Sequence, residues 1–135
     1  MRIAFGTDEK TALSDHVKRH LEALGHDVET LAEDEVWTSV GRRVGEAVGG
    51  READVGVVCC WTGTGVSIAA NKVRGVRAAL CTDSETAGGA RRWNDANVLA
   101  LSIRLTTPTL AEEIIEAFLG NVPDPGESET IAGVE

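Results

Sequence analysis

Val55-Gly56-Val57-Val58-Cys59-Cys60-Trp61-Thr62-Gly63-Thr64-Gly65-Val66-Ser67-Ile68-Ala69-Ala70-Asn71-Lys72 is the stretch that decides the fold. An uncharged, β-favouring run stops at a Gly-x-Gly turn, and a helix-compatible segment follows. Strand, glycine turn and helix in that order open a βαβ unit, which implies a parallel sheet. Working outward, four more short apolar runs read as strands: Ile3 to Gly6, Val28 to Leu31, Arg77 to Leu80 and Val98 to Leu101. Their nearly continuous apolar character is that of strands covered by helices on both faces. Leu13, Val17, Leu21 and Leu24 make one helical stripe, stopped by Gly25, and Val40, Val44, Ala47 and Val48 make a second before Gly49-Gly50. A last helix starts with Thr107 as N-cap and Pro108 at its first position, and turns Leu110, Ile114, Ala117 and Phe118 inward. Two further helices follow Gly65 and Asp83. The expectation is an α/β three-layer Rossmann-like sandwich with a five-stranded parallel sheet.

One domain is natural for 135 residues. It is read as residues 1–120, followed by an acidic tail over 121–135 with two prolines, two glycines, four acids and no base, expected to be mobile or draped on a partner. Thirteen Lys and Arg against twenty-two Asp and Glu leave a net charge of −9. That surplus speaks against nucleic acid and against an anionic membrane surface, both of which are bound through concentrated positive charge. No run has the apolar length of a membrane span, and the N-terminus lacks a signal-peptide pattern. Cys59, Cys60 and Cys81 do not form a disulfide framework, so a reducing cytoplasm is expected.

In a doubly wound sheet ligands bind beyond the carboxyl ends of the strands, and three segments are read there. After the first strand comes Gly6-Thr7-Asp8-Glu9, where Asp8 is either a ligand for a substrate hydroxyl or the cap of the next helix. The Gly63-Thr64-Gly65 turn aims free amides at one point, a nest for phosphate, carboxylate or an enediolate oxygen. Cys60 stands beside it, either as nucleophile or base, favoured as thiolate by the helix N-terminus, or as a small buried hydrophobe. Strand alternation sends Cys59 and Cys60 to opposite faces, so at most one of them belongs to a site. The third segment is Arg91-Arg92-Trp93-Asn94-Asp95-Ala96-Asn97, in which Asn94 suits a developing enolate and Asp95-Ala96-Asn97 is also readable as a plain turn. His16 and His20 share a helix face, but no carboxylate or Cys at a suitable spacing completes a metal site, and a solvated flank is expected.

Taken together, Met1 to Asp8, Leu24 to Val28, Cys60 to Cys81 and Asn94 to Leu101 resemble the type B ribose-5-phosphate isomerases and their galactose-6-phosphate isomerase relatives, in unbroken order to about residue 120. The resemblance implies interconversion of an aldose and a ketose through a cis-enediolate, without metal or other cofactor. It also implies an assembly, a homodimer or tetramer, whose sites are shared between subunits. By position the resemblance makes Cys60 the base that moves a proton between C1 and C2, as in relatives with Cys there. Relatives that use Glu place it where this chain has Val66. The resemblance further implies that Thr62 assists transfer between oxygens, that Gly63, Thr64, Gly65 and Asn94 form the anion hole, and that Asp8 holds a hydroxyl.

The departures matter as much. Trp93 replaces the ring-opening His, Glu9 replaces another site His, and Trp37-Thr38-Ser39 replaces a Tyr-Pro-Asp segment. The C-terminal arginines that clamp the substrate phosphate have no counterpart, which leaves Arg104 alone. The expected substrate is therefore a sugar or sugar phosphate other than ribose 5-phosphate: already open-chain, shorter than a pentose, or lacking phosphate. Two other readings stand beside this one: a non-catalytic or partner-dependent isomerase subunit, and an epimerase or tautomerase on a related keto compound.

Overall fold

The computed structural model describes residues 1–135 and alternates strand and helix: β1 (Arg2–Thr7), α1 (Ala12–Ala23), β2 (Asp27–Glu33), α2 (Trp37–Gly49), β3 (Val55–Cys60), α3 (Thr64–Asn71), β4 (Ala78–Leu80), α4 (Ser84–Asn94), β5 (Val98–Ser102) and α5 (Pro108–Leu119). All strand pairings are parallel, in the order β2-β1-β3-β5-β4. The period of two along the central strands splits the interior into two layers. Ile3, Phe5, Val55, Val57, Cys59, Leu99 and Leu101 point toward α1, α4 and α5, where Leu13, Val17, Leu21, Ala87, Ala90, Ile114 and Phe118 meet them. Ala4, Val58, Cys60, Val98 and Ala100 point the other way, toward Val40, Val44 and Val48 of α2 and Val66 and Ala70 of α3. Each large side chain closed off in this way contributes about 1.5–3 kcal/mol of transfer free energy.

Helix ends follow their capping chemistry. Thr11 caps α1 in a capping box with Ser14, and Thr107 accepts from the Leu110 amide at 3.2 Å ahead of Pro108. Ile114 and Phe118 are buried, whereas Leu110 and Ala117 are only half-covered. Leu24 falls out of the expected stripe. It is the C-cap of α1 and 42% exposed, because Gly25, at φ +93°, turns the chain away.

The edges of the sheet depart from continuous burial. β2 has a single neighbour, β1, and exposes Asp27, Glu29 and Thr30, with only Ala32 fully buried and a register slip opposite Phe5 and Gly6. β4, on the other edge, shrinks to three residues. Arg77, expected inside it, instead has its backbone N–H held by the Asn97 side chain at 2.7 Å. The tail corrects a second expectation. It forms a 3₁₀ turn at Pro125–Glu127 and a helix, α6 (Ser128–Ala132), and folds back along α4. The Asp124 amide donates to the Arg92 carbonyl at 2.9 Å, Arg92 holds the Asn121 side chain, and Glu135 reaches Arg77 at 3.4 Å. No helix is long and apolar enough to cross a membrane.

Candidate active site

β1, β3 and β5 deliver three chain segments to their common carboxyl edge. After β3 the backbone passes Cys60 and Trp61 and enters α3 through Gly63, which takes φ +77°. That left-handed residue lets the turn tuck under its neighbours: a Cβ there would lie 2.5 Å from Leu80 and 3.0 Å from the backbone of Leu101 and Ser102. No side chain caps α3, and the first bond closing its opening turn runs from the Ser67 amide to the Gly63 carbonyl at 3.3 Å. The Thr64, Gly65 and Val66 amides are therefore free donors at the positive end of the helix. Gly65 is bare because Trp37 lies across it, with the indole 2.8 Å from where a Cβ would stand. The Thr62 and Thr64 hydroxyls are exposed and 2.7 Å apart, a pair able to pass a proton.

Cys60 faces the α2–α3 layer with only 4% of its surface accessible, among Val66 and Ala70. Cys59 faces the opposite layer and is wholly buried, and burial pushes its thiol up to about 12. Burial raises Cys81 to about 11. Both lie in the α1–α4–α5 layer, on the other side of the sheet from Cys60. Sequence inspection passed over Ser102. It is 2% exposed, and its hydroxyl donates to the Trp61 carbonyl at 3.0 Å, while the Ile103 and Arg104 amides donate to the Cys60 and Trp61 carbonyls. These three bonds fix the loop that carries the thiol. The signal was available, since a hydroxyl closing the apolar run Val98-Leu99-Ala100-Leu101 needs a partner. Arg104 is thereby brought to the mouth, exposed and in no ion pair, and Glu9 is exposed after β1.

Asp8 is not the helix cap, a part taken by Thr11. Its amide donates to the Cys59 carbonyl at 3.1 Å, and its Oδ1 is buried with no hydrogen-bond partner. Desolvation, followed by repulsion from Glu9, raises its pKa above the ordinary aspartate value. An acid raised in the folded state binds protons more readily there than in the unfolded chain. Its charge therefore costs stability as pH rises through the raised value, and the cost is absent below about pH 4. An unpaired carboxylate oxygen at the mouth of a strand is what a sugar hydroxyl would satisfy. Asp8→Asn is expected to raise Tm slightly at pH 7 with no gain at pH 4, and to lower kcat/KM roughly 10–100-fold by weakening a charge-assisted hydrogen bond. Paired thermal melts and initial rates check both.

The third segment does not join the others. α4 starts at the carboxyl edge and runs back antiparallel to the strands, so Trp93 and Asn94, at its end, stand near the amino edge, roughly 15 Å along the helix. The expectation that Asn94 lies beside the amide nest fails within one chain, because the segment precedes β5 instead of following it. Asn94 is exposed and makes no hydrogen bond, whereas Asp95 is the left-handed C-cap and pairs with Arg77 at 3.1 Å. Asn97 ties the Arg77 amide to the Gly75 carbonyl, so Asp95 and Asn97 are structural. Trp93 is half exposed, stacked on Gly89 with Arg92 over its ring. Trp93 and Asn94 line a groove of about 470 Å³ along α4 with Leu80, Asp83 and Glu85; neither Cys60 nor the glycine turn reaches it. A larger cavity, about 650 Å³, opens at the amino edge among Arg2, Arg77 and Arg91. Those arginines are committed to Asp54, Asp95 and backbone carbonyls, so the larger volume carries no chemistry of its own.

His16 and His20 also require a correction. Carboxylates do face them, from α5: His16 Nε2 lies 2.7 Å from Glu112 and His20 Nε2 lies 3.2 Å from Glu116. The partners are 96 residues distant, beyond any local spacing rule.

Uncapped amides at the start of α3, on the carboxyl edge of a doubly wound parallel sheet, make this an α/β protein of the ligand-binding kind. The sequence pattern described as Ribose/Galactose Isomerase matches residues 3–132. Ribose-5-phosphate isomerase B of Escherichia coli is 38% identical over 127 residues, 88% of this chain and 83% of its own. A D-erythrulose-4-phosphate isomerase of Pectobacterium atrosepticum is 34% identical over 125 residues, 88% of this chain and 82% of its own. Ribose-5-phosphate isomerase B of Clostridium thermocellum superposes with a TM-score of 0.94 at 34% identity, covering 99% of this chain and 95% of that one. The chain belongs to the ribose/galactose isomerase family, and its class of activity is aldose–ketose isomerisation.

Proposed function

We propose that the chain isomerises an open-chain four-carbon sugar phosphate through a cis-enediolate, in sites that two copies of the chain build together. The observation that carries this reading is the separation of Cys60 and the amide nest from Trp93 and Asn94, at opposite ends of α4. A second copy brings the far end of one α4 over the other's mouth. Exposed Trp61, Leu105 and Trp37 around that mouth supply the apolar rim such a contact needs. Cys60 takes the proton from one sugar carbon and returns it to the next. The Thr64 and Gly65 amides, with Asn94 of the partner subunit, hold the oxygen that becomes negative. Thr62 passes the hydroxyl proton, and Asp8 receives a substrate hydroxyl. Arg104, exposed and in no ion pair, receives the phosphate, and Glu9 stays at the rim. Unpaired Cys59, Cys60 and Cys81 fit a reducing cytoplasm.

The substrate size follows from Trp93. An indole N–H does not exchange protons near neutral pH, so it opens no sugar ring. An aldotetrose phosphorylated at O4 has no free hydroxyl positioned to close a five-membered ring, and it needs no opening. The similarity to an erythrulose-4-phosphate isomerase points the same way. The test is kcat/KM for erythrose 4-phosphate, ribose 5-phosphate and unphosphorylated erythrose. The tetrose phosphate is expected to lead ribose 5-phosphate at least tenfold. Ribose 5-phosphate ahead would reject the size assignment, and free erythrose ahead would reject the phosphate.

A further inference from the structure

α1 and α5 lie side by side on the sheet face remote from the α2–α3 layer that holds Cys60. On α1, His16 and His20 are four residues apart with parallel rings, 6° between their planes and 6.4 Å between centroids. On α5, Glu112 and Glu116 repeat that spacing directly opposite. One ligand atom each from His20, Glu112 and Glu116 lies within 4.8 Å of the other two. Donors around a tetrahedral zinc at about 2.1 Å sit about 3.4 Å apart, so the cluster has to close by at most about 1.4 Å. Glu116, with 57% of its side chain exposed, can close that gap by a rotamer change. His20 is more deeply held, with 15% of its side chain exposed, and the helix already fixes its direction.

We propose that His20, Glu112 and Glu116, completed by His16, bind a divalent transition ion of the zinc class that staples α1 to α5. Mixed imidazole and carboxylate donors suit zinc, cobalt and nickel over magnesium or calcium, and two carboxylates balance the charge of a dication. His16 serves either as fourth ligand or, through its 2.7 Å contact, as the group that orients Glu112. The site is structural: it joins two helices whose paired residues lie 96 apart in the chain, with the sheet between it and the thiol. Bound metal therefore raises stability without entering the reaction.

The full-length protein, stripped with chelator, is titrated with Zn²⁺ while Tm is followed, and with Co²⁺ while the visible spectrum is followed. Tm is expected to rise several degrees once free Zn²⁺ exceeds the Kd about a hundredfold. Co²⁺ should give d–d bands without thiolate charge transfer. The double variant His20→Ala/Glu116→Ala removes both members of one pair. It should keep its fold by circular dichroism and its isomerase rate, and lose both responses. His16→Gln should weaken Zn²⁺ roughly 10–100-fold. A wild type with no Zn²⁺ response, a double variant that binds as well as wild type, or a cobalt–thiolate band would each overturn the proposal.

Discussion

Replacing Cys60 with alanine is expected to lower kcat for the aldose–ketose interconversion roughly 10²–10⁴-fold, the range over which a positioned general base contributes. The variant should still fold, since the lost sulfur leaves only a small void lined by Val66 and Ala70. KM should move little, because in the proposed site the thiol meets only the transferred proton, and substrate binding is assigned to Asp8 and the amides. Exchange of the substrate's carbon-bound hydrogen in heavy water reads the step directly, and it should vanish with kcat. Cys59→Ala is the control and should leave exchange intact, since Cys59 belongs to the other layer. Mixing makes the experiment sharper. Asn94→Ala alone should also be nearly inactive, yet unfolding and refolding it with Cys60→Ala should recover about a quarter of wild-type activity. Half the dimers are then mixed, and each carries one intact pair of Cys60 and Asn94 in one of its two sites. Recovery near zero would place both residues in the same chain's site. An inert wild type that gains activity only with a different chain would make this protein one subunit of a mixed enzyme.

The same geometry explains what the sequence could and could not disclose. The five strands and the direction of Cys59 and Cys60 were readable because a period of two is a local property, and both layers obey it. Thr107 as a cap follows from its own hydroxyl and the proline after it, whereas Thr11 takes the capping part that the sequence offered to Asp8. Asn94 was misplaced for a physical reason: it precedes a strand, and α4 returns it to the amino edge, a fact that connectivity contains and residue type does not. The carboxylates opposite His16 and His20 were invisible because α1 and α5 meet only in the folded sheet. Ser102 sat in plain view at the end of an apolar strand, and the question of its partner alone would have found it. The tail's acidity suggested a mobile or partner-draped extension and gave no sign of its anchors, which are the Arg92 carbonyl and the Arg77, Arg91 and Arg92 side chains.

Gly63→Ala tests whether the nest depends on backbone shape. Alanine at φ +77° carries a left-handed cost of about 1–2 kcal/mol. Its Cβ also arrives 2.5 Å from Leu80 Cδ1 and 3.0 Å from the Leu101 carbonyl carbon and the Ser102 nitrogen. Leu80 can swing aside, but the β5 backbone cannot, because Ser102 and its neighbours hold the loop from Cys60 to Trp61. Overpacking of this kind adds about 1–3 kcal/mol, so destabilisation of about 2–5 kcal/mol is expected, a fall in Tm on the order of 10 °C. Activity should fall further than stability accounts for. The turn must move away from β5, and the Thr64 and Gly65 amides move with it, off the point where the oxyanion forms. Rates measured well below the variant's Tm separate the two effects, with kcat expected to drop roughly 10²-fold while KM changes little. The comparison residue is Gly25, also left-handed at φ +93° but with nothing within 4 Å of its would-be Cβ. Gly25→Ala should show the backbone cost alone and keep full kcat. Equal losses of activity in the two variants would mean that the amides of α3 do not hold the developing charge, and the isomerisation would then need a different donor set.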